Sequence, residues 1–449
     1  MSGVRVVCSG CGAEVDPARA LPFQCPNAVE DDGIDHVLVR HLTGPALPFP
    51  GPADNNLSGT NPFIRYRHLT LSYHLAMQAG LSDTDYLALV RDLDDAVSTV
   101  DGHGFRVTPF APVPALAEPA GAPEGGRIWV KDETGNVSGS HKARHLMGVM
   151  IYLEVLERAG LPLAEGLRDR RLAIASCGNA ALAAAVIAKA ANWPLDVFIP
   201  PDAEEPVVRR LKELGAECHV MHRQEGQAGD PCYHGFREAV ARGSLPFGVQ
   251  GNEVGLAIEG GQTLGWEMAD ALREAGTELD LLAVHVGGGA LGSACYRGLQ
   301  EAQAARVIKR LPRFFTVQTT GAYPMKQAFT YFLGEADPGD LPGSLRRAAR
   351  NRADYMKPWP AEPHSIAHGI LDDETYDWLA LVEAMATTDG DVLVVSEDRL
   401  RQANRLGTEA GYAVSHTGSA GLAGLMDALT GRMPDAANAA VLFTGVERS

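Results

Sequence analysis

Positive charge is in short supply: 39 Lys and Arg stand against 56 Asp and Glu, a net charge of −17. That sign repels phosphate backbones and anionic bilayers, so small molecules are expected as partners, with no nucleic acid and no membrane. Long apolar runs are also missing. The best candidate, residues 180–188, is mostly alanine and stops at Lys189, well short of the roughly 20 residues a membrane helix needs. The first residues, MSGVRVVCSGCG, lack the apolar stretch and small-residue cleavage site of a secretory signal, so a cytoplasmic protein is expected. Seven cysteines in 449 residues are too few for a disulfide scaffold and suit a reducing compartment. What is present is a 45% hydrophobic content, enough for a large core and more than one domain, which excludes a disordered or fibrous chain.

Residues 1–40 differ from the rest: Cys8, Cys11 and Cys25 sit among turn formers and acids without a helical or strand period, which reads as a small appended module. Residues 41–62, rich in Pro, Gly and Asn, read as an irregular linker. Helices are predicted over 70–80 and 82–100. From Arg127 strands and helices alternate: strands at 127–133, 171–176, 195–200, 217–221, 281–286, 313–318, 391–396 and 439–445, helices at 141–160, 179–192, 204–216, 233–242, 258–275, 293–311, 372–387, 397–411 and 419–429. Such alternation predicts an α/β fold with parallel sheets.

Four places in this pattern carry residue types suited to chemistry. Gly287, Gly288, Gly289, Ala290, Leu291 and Gly292 join an apolar strand to a helix, where backbone N–H groups and a helix N-terminus can hold a phosphate or simply let the chain pack closely. The spacing is GGGxxG; neither GxGxxG nor GxxxxGK[ST] occurs, which speaks against nicotinamide and nucleoside-triphosphate cofactors. Lys142, in SGSHKARH, opens a helix at its positive end, a placement that lowers an amine's pKa and favours its neutral, nucleophilic form. Asn179, in ASCGNAALAAA, can cap a helix or, with Ser176, Cys177 and Gly178, offer donors to an anionic oxygen. Thr444 ends the last strand.

In this order, SGSHK, SCGNAA, GGGALG and the terminal Thr-Gly resemble the fold type II pyridoxal-phosphate enzymes, the tryptophan-synthase β-like family, and within it the threonine synthases. VKDETGNVSGSHKARH is similar to the family's lysine motif; FIRYRHL, VTPF, LKELGAE and EAGYAVSHTGSAGLAGL are similar to further threonine-synthase segments. The resemblance implies two open parallel-sheet α/β domains with the cofactor in the cleft: a large one from 41–143 and 246–449, and a small one from 144–245. It implies that Lys142 carries pyridoxal 5′-phosphate and serves as acid/base catalyst. Asn179 would meet the cofactor's ring oxygen, Gly287, Gly288, Gly289, Ala290 and Leu291 its phosphate, and Thr444 its pyridine nitrogen. Substrate contacts are expected from Ser140, His141, Ser176, Cys177, Gly178, His416 and Thr417, the last two ahead of a helix N-terminus suited to an anion. His141 and Cys177 depart from the family, which has an aromatic and a Ser or Thr there, and so put phosphohomoserine in doubt as substrate.

The implied activity is elimination or replacement at Cβ or Cγ of a small amino acid, of the carbon–oxygen lyase type, in a homodimer. A serine or threonine dehydratase acting as an ammonia-lyase is the alternative within enzymes, and a catalytically silent binding protein the alternative outside them. Cys8-x2-Cys11 with Cys25-Pro26 resembles a zinc ribbon such as some threonine synthases carry, without its fourth cysteine. Either Asp31, Asp32 or His36 completes a tetrahedral zinc site, or the ribbon has decayed and holds no metal.

Overall fold

A computed structural model describes residues 3–29, 32–43, 47–51, 61–223 and 230–448. Asp31 and much of the expected linker lie outside the described residues. Near the N-terminus, β1 (Gly3–Cys8) pairs antiparallel with β2 (Glu14–Val15) and β3 (Leu38–Thr43) in the order β2-β1-β3. The 1–40 segment therefore holds strands the sequence did not announce. They are short, and β1 finds its longer partner only across an intervening irregular stretch.

Nor is this segment merely appended. Val6, Cys8, Val15, Phe23 and Leu38 belong to the same apolar cluster as the helices Leu71–Gln78, Asp83–Asp101 and Lys142–Arg158. The backbone N–H of Gly255 donates to Phe23 O at 2.8 Å, and the Tyr152 hydroxyl donates to Pro17 O at 2.8 Å.

The remaining strands are β4 (Phe110–Pro112), β5 (Arg127–Asp132), β6 (Leu172–Ala175), β7 (Leu195–Ile199), β8 (Glu217–Val220), β9 (Leu245–Pro246), β10 (Leu281–His285), β11 (Arg313–Thr319), β12 (Asp391–Val395) and β13 (Asn438–Phe443). A six-stranded sheet runs β12-β11-β10-β13-β5-β4, parallel except for β4. A four-stranded parallel sheet runs β8-β7-β6-β9. Every residue of β7 and β10 is buried, the pattern of strands covered by helices on both faces. The six-stranded sheet has one apolar cluster on each face, and the four-stranded sheet shares a cluster with the helices between Pro62 and Ala190.

Most helices match the expected spans, and Ser82 and Asp85 close a reciprocal capping box at the start of Asp83–Asp101. Two differ. The helix expected over 372–387 starts only at Trp378, and that expected over 293–311 is Ala290–Ala304. Residues 372–377 are instead held as irregular chain by bonds to the glycine loop, described below. Among the described residues no helix is long and apolar enough to cross a membrane.

Helix Ala257–Ala275 crosses Lys142–Arg158 at close range: a Cβ on Gly260 would stand 2.2 Å from Arg144 O. Glycine there brings the lysine helix against its neighbour.

Candidate active site

The lysine motif is first an anchor. Arg144 donates to Glu133 through Nε (2.7 Å) and Nη2 (2.9 Å) and pairs with Glu267, which also takes the Lys131 ammonium. All four are fully buried. Buried ions of this kind are costly unless paired, so the network holds β5 and the start of the lysine helix in one arrangement.

At that start, Lys142 is the first helical residue, behind a turn in which Ser138 and Gly139 take left-handed φ values of 56° and 65°. The amine has no hydrogen bond among the described residues; the carboxylates of Asp372 and Asp377 act on it as counter-charges. Loss of surrounding water lowers its pKa, with those carboxylates opposing. Three buried histidines surround it. His141 donates from Nδ1 to Thr444 O (3.2 Å), His145 from Nδ1 to Ala257 O (2.8 Å), and His285 Nε2 lies 2.9 Å from Thr444 Oγ1. Burial, then the Lys142 charge, depresses all three: His141 well below the ordinary range, His145 and His285 to about 3. The pocket therefore presents neutral imidazoles.

Asn179 is the first residue of its helix, and its side chain does not cap that helix. Its Oδ1 accepts two hydrogen bonds from Arg448, while Nδ2 lies 2.9 Å from where a Gly445 Cβ would be. In the glycine loop, Gly289 has φ 98° and caps the helix that Ala290 and Leu291 begin. A Cβ on Gly287 would meet Asp372 Oδ2 at 2.3 Å and Ile370 Cα at 2.8 Å. The Gly288 N–H bonds the Asp372 carboxylate, and Gly288 O accepts from the Asp377 N–H at 2.9 Å. Asp377 also accepts from the Gly251 N–H at 3.2 Å. Burial pushes Asp372 up to about 6 and Asp377 up to about 7.

The residues expected to face substrate stand at or just ahead of the starts of three helices, Lys142–Arg158, Asn179–Ala190 and His416–Thr430. Ser140 is fully buried and bridges to Gly445; Cys177 is exposed; Ser176 Oγ accepts from the Gly178 N–H at 3.4 Å. His416 and Thr417 form the first turn of helix His416–Thr430, where Thr417 Oγ1 accepts from the Gly369 N–H at 3.0 Å and Ser415 Oγ donates to Gly445 O. The tail after β13 thus ties the lysine turn, the asparagine loop and this helix together.

Sequence reading missed His145, His285, Asp372, Asp377 and Arg448. His285 at the end of LLAVH had a signal, a polar residue closing an apolar strand; Asp372 and Asp377 were hidden by a helical reading of their segment.

Near the N-terminus, Cys8, Cys11, Cys25 and His36 converge, their ligand atoms all within 4.8 Å of one another. Of the two candidates for a fourth ligand among the described residues, His36 is the one brought to the cysteines, and Asp32 stands behind it.

The pocket suits a polar ring bearing a phosphate. Ser140 Oγ, His141 Nε2, His145 Nε2 and His285 Nδ1 are buried without partners, an amine stands free, and a glycine loop opens a helix beside them. Comparison with known proteins agrees. The family described as pyridoxal-phosphate dependent enzyme matches residues 103–445. A threonine synthase of Mycobacterium leprae is 27% identical over 326 residues, 72% of this chain and 76% of that protein. A serine dehydratase-like protein of Rattus norvegicus is 30% identical over 196 residues, 44% of this chain and 53% of that one. Among solved structures, maize serine racemase superposes with a TM-score of 0.58 at 19% identity, covering 81% of this chain and 93% of that one. The processed form of a threonine deaminase from Solanum lycopersicum gives 0.59 at 15%, covering 83% and 92%. With the matched region spanning the lysine turn, both parallel sheets and the glycine loop, the chain belongs to the pyridoxal-phosphate dependent enzyme family, of fold type II.

Proposed function

We propose that this enzyme eliminates or replaces a substituent at Cβ or Cγ of a small amino acid, as a carbon–oxygen lyase or a threonine-synthase-like synthase. The observation that carries this reading is the partnership of Thr444 with neutral His285 beside Lys142. When bound, pyridoxal phosphate supplies an electron sink for charge developing at the substrate Cα. Lys142 Nζ would hold the cofactor and, once the substrate amine has displaced it, would be free to take the α-proton and pass it to the departing oxygen, or, in a replacement, to take a proton from the incoming water and return one to Cα. If His285 Nε2–H donates to Thr444 Oγ1, the threonine hydroxyl proton remains free for the ring nitrogen. A hydroxyl partner leaves that nitrogen largely unprotonated, which favours prompt loss of a leaving group over reprotonation at Cα. Asn179 Nδ2 would serve the ring oxygen and residues 287–291 the phosphate, a role for which the Gly288 N–H would have to turn away from Asp372.

A dehydratase-type ammonia-lyase is the second reading, favoured by the carboxylates whose charge reaches Tyr376 and Cys177. Asp372, Glu374 and Asp230 act on Tyr376, and Asp202, Asp230 and Glu204 on Cys177. Negative charge near Cys177, a residue expected to contact substrate, would repel a phosphorylated side chain. The division into a large domain, 41–143 with 246–449, and a small domain, 144–245, in a cytoplasmic homodimer belongs to the same proposal.

Product analysis with serine, threonine and phosphohomoserine, alongside absorbance changes of the holoenzyme, tests the two readings. Ammonia and a 2-oxo acid from serine or threonine support the dehydratase, and phosphate release from phosphohomoserine supports the synthase. Racemised substrate with neither product overturns both.

A further inference from the structure

The chain turns sharply after β1. Gly12 N–H donates to Cys8 O (3.0 Å), Cys8 N–H donates to Ala13 O (2.8 Å), and Gly12 has φ 76°. Gly10 is fitted to its place, since a Cβ there would lie 2.4 Å from Asp35 O. The turn sets Cys8 and Cys11 on one point, which Cys25 and His36 reach from the other side. Cys11 Sγ lies 3.6 Å from Cys25 Sγ, and Cys8 Sγ lies 3.4 Å from His36 Nδ1. Zinc–sulfur bonds of about 2.3 Å in a tetrahedron separate ligand atoms by about 3.7 Å, close to these spacings.

The surroundings are those of a ligand set. Backbone N–H groups of Gly10 and Cys11 bond Cys8 Sγ, and those of Ala13 and Asn27 bond Cys11 and Cys25. His36 Nε2–H donates to Asp32 Oδ2 at 2.8 Å, which leaves the Nδ1 lone pair facing the thiols. A disulfide uses two sulfurs and gives neither Cys8 nor the Asp32–His36 pair a role. Cys8, Cys25 and His36 are buried, and the four ligands close the coordination shell, as in a structural site.

The residue before His36 connects this cluster to the catalytic cleft. Asp35 N–H donates to Ala349 O (2.7 Å), and Asp35 Oδ1 accepts from Trp378 Nε1 at 3.0 Å. Trp378 is fully buried and follows Asp377, which bonds the glycine loop at Gly288 O. We propose that Cys8, Cys11, Cys25 and His36 form a structural zinc site, and that zinc bound there pins residues 370–378 against the glycine loop through Asp35 and Trp378.

Metal analysis of the full chain should find about one zinc per chain, and chelated protein should regain it from added zinc. Near-zero zinc in both cases overturns the site. His36→Ala should weaken zinc binding and His36→Cys should keep one zinc; wild-type affinity in His36→Ala overturns the fourth ligand. Asp32→Asn, which leaves all four ligands in place, should lower affinity roughly 10–100-fold; unchanged affinity removes Asp32's role. Hydrogen exchange in residues 370–378 should quicken when zinc is removed, or in Asp32→Asn at limiting zinc should the stripped chain not stay folded. Unchanged exchange overturns the pin. These readouts need neither cofactor nor turnover, so they stand or fall separately from the proposed reaction.

Discussion

Arg448 donates two hydrogen bonds to one atom, Asn179 Oδ1, at 3.2 Å from Nε and 2.9 Å from Nη2, across 269 positions of sequence. The same Nη2 donates to Ser138 O at 2.6 Å. With its oxygen engaged, the amide is oriented so that Nδ2 is left as donor. Arg448→Ala should therefore loosen cofactor binding roughly tenfold, about one lost hydrogen bond's worth, and shift the visible absorbance of the bound cofactor. Arg448→Lys, a single-point donor, should recover only part. Cofactor titration checks this; identical affinity and spectrum would make the tail contact purely structural.

Lys142→Ala should abolish the absorbance of lysine-linked cofactor and lower turnover by several orders of magnitude, because one amine both holds the cofactor and moves the proton. Retained activity with an unchanged spectrum would remove Lys142 from the chemistry.

Thr444→Asp places a carboxylate where the hydroxyl now meets His285. It should keep the ring nitrogen protonated and divert product toward racemisation or transamination. Chiral analysis of products reads this, and an unaltered distribution would place Thr444 away from the ring.

Asp377, raised from 3.8 to about 7 by burial, with the Gly251 N–H opposing, makes stability depend on pH. A carboxyl raised on folding holds its proton more tightly in the native state, so its contribution is full below about pH 4 and is lost as pH climbs through 7. The cofactor-free protein should lose stability over that window, by roughly a few kcal/mol at most. Asp377→Asn should flatten the loss. Urea midpoints at pH 5 and 8 give the comparison, and equal slopes for both proteins would end the argument.

His416→Ala should raise KM for the true substrate while leaving the cofactor absorbance alone, since His416 lies in a helix's first turn, away in sequence from the lysine motif and the glycine loop. An unchanged KM would move the substrate anion elsewhere.

Much of this architecture is written locally. Lys142, Asn179 and the run Gly287 to Gly292 each sit where a strand hands over to a helix, and local hydrophobic period and turn chemistry reveal such junctions. Pyridoxal phosphate was reached only through the resemblance of their order along the chain to that of a known family. The cysteine spacing likewise announced a cluster, but left the fourth ligand open among three neighbours.

The amino-acid sequence by itself determined the alternation of strands and helices, the amine at a helix start and the glycine loop, because each depends on residues within a few positions of one another. Tertiary structure alone decided that His285 meets Thr444 across 159 positions, that Asp372 and Asp377 close on the glycine loop, that Arg448 turns Asn179, and that His36 joins the cysteines. The reason is physical: these side chains gain their chemistry from burial and from partners on other strands. Packing creates both, and no local pattern records them.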